Sequence, residues 1–414
     1  MSRLTKLEKR WILYDVGNSA FTMLVSTIIP IYFKSMAAES GVSMADSTAY
    51  WGYAVSVATI LTALLGPVVG TLADTKGYKK PLFTLSMMMG VLGCAALGLP
   101  TGRVLLLAVF VIAKAGFNFS LIFYDSMLVD VSPPERMDYV SSQGYAWGYI
   151  GSCIPFTASL LLVLFAEQLG LATATATGIA FVGNAVWWLL VTLPLLKSYE
   201  QTYYVEKSAQ PLRASVRRIV QSIKGVRMEK KTFLFLLAFF FYIDGVYTII
   251  EMATSYGMDV GITQDNLLLA LLLTQIVAFP CSIWFGRMSK KYRTESLIKA
   301  CIIGYFGIAL FALQLDKAWE FWVLAVWVAV FQGAIQALSR SYFAKIIPKE
   351  KSSEYFGFFD IFGKGASFLG TMLMGVSTQL SGSSKTGVAL LAVMFVVGYV
   401  LFCRAARAPE ETQA

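Results

Sequence analysis

Eight ionisable residues lie inside long apolar runs of this sequence: Asp15, Lys114, Asp125, Asp244, Glu251, Arg340, Asp360 and Lys364. A charge at the centre of a membrane-spanning helix costs about 2.5 to 3.5 kcal/mol on insertion scales, so each one needs a partner or an aqueous cavity. The chemistry open to such groups is the binding of polar or charged solutes and the movement of protons. The chain has no histidine. That excludes a His-based proton relay, a His-containing zinc site and a His-dependent catalytic triad, and it leaves carboxylates as the proton carriers. Asp244 is the first proton-coupling candidate, and Glu251, at i+7 on the same helical side, is the second. Two plainer readings stand beside these: Glu251 as an interfacial acid, and Asp244 as a permanently charged partner of Lys114.

The spacing of the remaining groups orders them into stripes. Lys114, Asn118 and Asp125 share nearly one face, because 11 residues at 100° each return to within about 20° of the start. Gln332, Gln336 and Arg340 follow one another at i+4 steps, and Asp15, Asn18, Thr22 and Ser26 repeat at helical spacing. Polar stripes on otherwise apolar helices face the interior of a bundle. Substrate contact is expected from Asn18 and Thr22, and from the stripes that end in Asp125 and Arg340. Asp125 and Arg340 are expected to form a cytoplasmic gate pair or to hold the ammonium and carboxylate of a zwitterion; the alternative is that each pairs within its own half. Asp360 and Lys364, at i+4, most simply neutralise each other. Tyr14, Phe123, Tyr124, Tyr145, Trp147 and Tyr247 lie near the stripes, where helix packing is the first expectation and an aromatic cage for a cation the second.

The elements that position these groups follow from composition. With 57% apolar and 14% charged residues, the 414-residue chain reads as an all-α polytopic membrane protein. Twelve long apolar segments are counted, the first from Trp11 to Met36 and read as a retained anchor. Strand-length alternation is absent, which argues against a barrel. Of the 34 Lys and Arg, 26 fall in the N-terminal tail, in the connectors after even-numbered segments and in the C-terminal tail. This places both termini in the cytoplasm. The net charge of +9 is spread over connectors, so a membrane topology and not nucleic acid accounts for it. Residues 1–196 and 232–414 form two six-helix halves. In the connector 197–231, Val216, Ile219, Val220, Ile223 and Val226 oppose Arg213, Arg217, Lys224 and Arg227, the pattern of an amphipathic helix on an anionic leaflet. The five cysteines show no metal-site or disulfide spacing. No cofactor or metal and no enzymatic constellation is expected, and the expected oligomeric state is a monomer.

A polar loop, GTLADTKGYKK from Gly70, places Asp74, Gly77, Lys79 and Lys80 at the end of the second segment. Its G-x-L-A-D-x-x-G-x-K pattern resembles the loop signature of the major facilitator superfamily. Gly286 opens a second, decayed copy, with Lys290 where Asp74 stands in the first. SPPERMDYVSSQGYAWGYIGS from Ser132 corresponds to IPKEKSSEYFGFFDIFGKGAS from Ile347 at an offset of 215. Under that offset Asp125 and Arg340 are equivalent positions. Two markers at nearly one offset indicate two parallel six-helix repeats, with a site near midplane between them.

YDVGNSAF from Tyr14, FYDSMLVD from Phe123, VSSQGYAWGYIGS from Val140, YIDGVYTII from Tyr242, and QALSRSYFAKIIP followed by EYFGFF are similar to the vacuole effluxer family within that superfamily. The resemblance implies twelve helices in two repeats, a cavity lined by helices 1, 4, 7 and 10, and secondary transport of a small polar solute, with amino acids foremost. It also implies that Asp74 holds helices 2 and 11 together in one state of the cycle. The absence of an organelle-targeting segment is read as a plasma-membrane location. A lipid or lysolipid flippase on the same fold, or a membrane sensor that does not transport, are the alternative functions.

Overall fold

The computed structural model describes residues 3–99, 102–207, 230–259, 263–315, 317–381 and 384–409. Regular structure among them is helical, apart from one isolated bridge between Thr75 and Val205. In chain order the helices are α1 (Lys6–Ser26), α2 (Ile28–Glu39), α3 (Met44–Ala73), α4 (Lys79–Ala96), α5 (Arg103–Ser126), α6 (Leu128–Val131), α7 (Pro134–Leu164), α8 (Thr173–Ser198), α9 (Lys230–Asp259), α10 (Gln264–Met288), α11 (Thr294–Ala312), α12 (Ala318–Ile346), α13 (Ser352–Ser381) and α14 (Ser384–Arg407).

Among the described residues, ten stretches are long and apolar enough to cross a membrane. α4 and α13 complete twelve. α4, 18 residues long, opens on Lys79 and Lys80, and α13 carries Glu354, Asp360 and Lys364. The first span is broken where the sequence predicts one continuous helix. Thr27 leaves the helical region (φ −134°, ψ −77°) between α1 and α2. Pro30 supplies the cause, since its ring clashes with the carbonyl four residues back and it offers no N–H. A second break, at Met127, separates α5 from α6 and leaves Asp125 in the last turn of α5.

The chain divides into two compact units. Unit 1 comprises Met1–Val131, Trp147–Pro211 and Glu350–Gly357; unit 2 comprises Ser132–Ala146, Leu212–Lys349 and Phe358–Ala414. Each unit therefore takes the first turns of one helix, α7 or α13, from the other half of the sequence.

In unit 1, α4 and α5 meet through small residues: a Cβ on Gly93 would lie 2.7 Å from the Ala113 Cβ, and one on Gly116 would lie 2.6 Å from the Gly90 nitrogen. This is the close approach expected of small residues between membrane helices. α1 is anchored by Tyr14, whose hydroxyl bonds Ser120 of α5 at 2.5 Å, and by Gly17, packed on Trp188 of α8.

Unit 2 repeats that arrangement. Tyr242 of α9 bonds Ser339 of α12 at 2.7 Å, and Gly245 packs on Phe395 of α14. Tyr-x-x-G is thus the signature of the first helix of each repeat. It sits at a larger offset than the other markers, 228, because only 44 residues separate Tyr242 from Gly286 where 56 separate Tyr14 from Gly70.

Candidate functional site

The loop between α3 and α4 is built around Asp74, the C-cap residue of α3. Its fully buried carboxylate accepts the Ser353 N–H at 2.8 Å on Oδ1 and the Glu354 N–H at 2.9 Å on Oδ2. Those are otherwise orphan donors in the first turn of α13, and an anion is favoured there by the positive end of the helix dipole. Gly70 makes the approach feasible, since a Cβ there would lie 2.3 Å from the Ser353 carbonyl oxygen. Gly77 turns the chain at φ +78°, a conformation that favours glycine. Burial pushes the Asp74 carboxyl up to about 7, against the pull of Lys79 and of the two backbone N–H groups.

Lys79 is turned inward rather than toward headgroups. Its ammonium donates to Asp130 at 3.1 Å and to the Ser352 hydroxyl at 3.0 Å. Lys80 is half-buried. Asp130 also accepts from the Tyr199 hydroxyl at 2.6 Å and from the Thr202 and Tyr203 N–H groups, both at 3.0 Å. Burial beside Asp130 raises the Tyr199 phenol well above its ordinary value. The residues after α8 are laced onto the loop in the same way. Gln201 accepts the Gly77 N–H and donates to the Ala73 carbonyl, and Val205 exchanges backbone bonds with Asp74 and Lys76. The proposed amphipathic stretch of the connector, Val216 to Arg227, lies outside the described residues.

Unit 2 carries a second polar triangle. Asp138 accepts from the Thr294 hydroxyl at 2.6 Å, the Ser341 hydroxyl at 2.6 Å and the Lys345 ammonium at 2.7 Å, and Lys345 also reaches Thr294 at 3.0 Å. Lys290 sits over the Tyr139 ring at 4.7 Å. Neither Asp130 nor Asp138 stands out in the sequence reading, because both lie at segment ends where charges are cheap. The signal that finds them is the repeat itself: the 215 offset takes Lys79 to Thr294 and Asp130 to Lys345.

Arg340, 2% exposed, is oriented within unit 2 by the start of α7. Its Nε donates to the Ser141 hydroxyl at 2.9 Å, its Nη2 donates to the Ser141 carbonyl at 3.1 Å, and its guanidinium lies 4.5 Å from the Tyr145 ring. One turn and two turns earlier on α12, Gln336 donates to the Gln332 carbonyl, and Gln332 is buried. Asp244 is buried and accepts the Gly370 N–H at 2.9 Å, while Glu251 is exposed. Asp360 and Lys364 are bonded to each other on α13.

In unit 1, Asn118 is buried and donates to the Thr62 hydroxyl at 3.3 Å, and the half-buried Lys114 lies 4.9 Å over the Phe117 ring. Asp125 is half-buried, Asn18 is buried and Thr22 is exposed. Tyr14 and Tyr124 form no open cage: Tyr124 stacks on Trp11 at 4.4 Å and tilts against Tyr14 at 4.6 Å.

A cavity of about 100 Å³ opens inside unit 2, walled chiefly by apolar side chains of α9 to α14, with Thr248, Thr274, Gln275 and Gln332 as its polar edges.

Comparison with known proteins places this architecture. The family described as "Vacuole effluxer Atg22 like" matches residues 5–131 and 130–412. The uncharacterized MFS-type transporter YxiO of Bacillus subtilis is 45% identical over 417 residues, covering 100% of this chain and 97% of its own. Autophagy-related protein 22 of Eremothecium gossypii is 24% identical, covering 95% of this chain and 89% of its own. Among solved structures, the human organic anion transporter MFSD10 superposes with a TM-score of 0.73 at 12% identity, over 96% of this chain and 99% of its own. The major facilitator superfamily transporter FucP superposes with a TM-score of 0.73 at 13% identity, over 97% of each chain. At such identities these two likenesses show the fold alone. The chain is a multi-pass membrane transporter of the twelve-helix major facilitator fold, and it belongs to the vacuole effluxer Atg22-like family.

Proposed function

We propose that the protein moves a small zwitterionic solute, an amino acid, across the plasma membrane by alternating access, with protons as the coupling ion and both termini in the cytoplasm. Arg340 is the observation that carries the reading. A guanidinium 2% exposed in a membrane helix, held at Nε and Nη2 by Ser141 and lying 4.5 Å over the Tyr145 ring, is oriented for planar recognition of a carboxylate. Asp125, at the equivalent place in the other repeat, is the acidic candidate of unit 1 for gating or solute contact. Lys114, Asn118, Asn18 and Thr22 are the candidate polar lining of unit 1, on α1 and α5, and Gln332 and Gln336 that of unit 2, on α12. Asp244 carries the proton, with Glu251 as its outer neighbour. The loop of Gly70, Asp74, Gly77, Lys79 and Lys80 holds the first turn of α13 in one state of the cycle and releases it in another.

The test is uptake of a labelled amino-acid mixture into proteoliposomes, with and without an imposed pH gradient, by the wild type and Arg340→Ala. Gradient-driven accumulation of zwitterions that Arg340→Ala abolishes supports the reading. Movement of labelled lysolipid with no amino-acid flux, by protein shown to be folded, replaces it with lipid translocation.

A further inference from the structure

Asp244 is fully buried in the middle of α9. Oδ1 accepts the Gly370 N–H of α13 at 2.9 Å and lies 3.4 Å from the Thr248 hydroxyl, one turn along its own helix. Oδ2 is buried and has no hydrogen-bond partner among the described residues. Gly370 fits this junction because it has no side chain: a Cβ there would lie 2.1 Å from Thr248 Oγ1 and 2.3 Å from Asp244 Oδ1. Two helices are thus in contact through a carboxyl group that nothing else separates.

The charged groups around Asp244 are few. On α9 the next is Glu251. α13 offers Asp360 and Lys364, which are bonded to each other, and α12 offers Arg340, held by Ser141. α14 packs along α9 through Gly398 against Tyr242 and carries no acidic or basic residue between Lys385 and Arg404. α10 and α11 bear theirs toward their ends, Asp265 and Arg287 on one, Glu295 and Lys299 on the other. A carboxylate withdrawn from water with one oxygen unsatisfied is costly, and a proton relieves that cost. The Gly370 N–H occupies Oδ1 as an acceptor, so the proton belongs on Oδ2.

We propose that Asp244, Thr248 and Gly370 form a proton-operated latch between α9 and α13. The latch is closed while Oδ2 carries the proton and Oδ1 accepts the Gly370 N–H. It opens when the O–H bond of Oδ2 breaks, the proton passing to water and the electron pair staying on the carboxylate, which then requires hydration. Water has a place to enter. The cavity of about 100 Å³ begins at Thr248 and is bounded by Met374, one turn beyond Gly370; a single water needs only about 10–15 Å³. Gly370 acts as a positioning residue: it admits the acid to the helix contact and fixes which oxygen is protonated. The proposal rests on the reading of Asp244 as the coupling acid.

The test compares thermal unfolding of purified, detergent-solubilised wild type, Asp244→Asn and Gly370→Ala between pH 5.5 and 8.5, alongside gradient-driven uptake and solute counterflow in proteoliposomes. Asparagine keeps an acceptor for the Gly370 N–H and cannot ionise. The wild-type Tm is expected to rise on acidification by about 3 °C or more beyond the rise in Asp244→Asn. Counterflow survives in Asp244→Asn while gradient-driven uptake is lost. Gly370→Ala is expected to lose the same component of the pH profile; should it not fold, the Asp244→Asn comparison decides alone. Coincident pH profiles for wild type and Asp244→Asn overturn the latch, even if gradient-driven uptake is intact. A persistent difference between those profiles in protein that moves no amino acid leaves the latch standing and removes the amino-acid reading instead.

Discussion

Lys79 and Asp130 form an ion pair at 3.1 Å with neither side chain exposed. Their repeat equivalents, Thr294 and Lys345, bond each other at 3.0 Å in the other unit. The same pair of positions is joined in both repeats, but with the charges redistributed: in unit 2 the acid is supplied by Asp138, whose own equivalent is Ser353. A polar contact conserved in geometry while its chemistry changes indicates that the helix junction, rather than a particular residue pair, is what each unit needs at that place.

Removing one partner of a buried ion pair strands the other, at a cost of about 3–5 kcal/mol. Lys79→Met and Asp130→Leu are each expected to lower thermal stability strongly, and the double variant to recover much of the loss. Unfolding of the three variants in detergent checks this; additive losses in the double variant would contradict it.

Gly70→Ala drives a methyl group into the Ser353 carbonyl. Overpacking of this kind costs about 1–3 kcal/mol. The expected result is faster amide hydrogen exchange in the first turn of α13, measured by mass spectrometry, with little change in α4 and α5.

Asp74 gives a pH dependence whose sign follows from its surroundings. In the docked arrangement its carboxyl titrates at about 7, against 3.8 in water. The docked state therefore binds the proton more tightly. Its extra stability is fully present below pH 3.8 and is lost as pH rises through about 7. Protection of the Ser353 and Glu354 amides, corrected for intrinsic exchange, should fall between pH 6 and 8 in the wild type, and the Asp74→Asn variant should show no such step.

Arg340→Lys keeps the charge and loses the planar fork that meets Ser141 twice and lies on Tyr145. Since one hydrogen bond to a charged group contributes about 1.5–3 kcal/mol, uptake is expected to fall about tenfold or more. Tyr145→Leu, which removes the ring beneath the guanidinium, should resemble Arg340→Lys. Initial rates over a concentration series separate an effect on KM from one on turnover.

Much of the fold is legible in the sequence, because in a bilayer every backbone polar group must be satisfied within a helix. Long apolar runs then translate directly into spans, and the repeat offset pairs the two halves. Pro30 marks the broken first helix, a signal that apolar length alone overrides. The site is less legible. Helical spacing gathers Lys114, Asn118 and Asp125 on one stripe, yet it says nothing of the exchange by which Ser141 and Tyr145, early in the chain, come to orient Arg340 near its end. Gly370 is invisible for a simpler reason. It is one of 33 glycines, and only the position of Asp244 against its backbone distinguishes it.

The most direct measurement is of proton movement itself. Proteoliposomes loaded with a pH-sensitive dye, held at zero membrane potential, are given an amino acid on the outside only. The expected result is a solute-dependent proton flux in the wild type that is absent in Asp244→Asn, while that variant still exchanges labelled solute for unlabelled. Equal proton flux in both proteins, or solute accumulation with no proton movement in the wild type, would contradict proton coupling through Asp244.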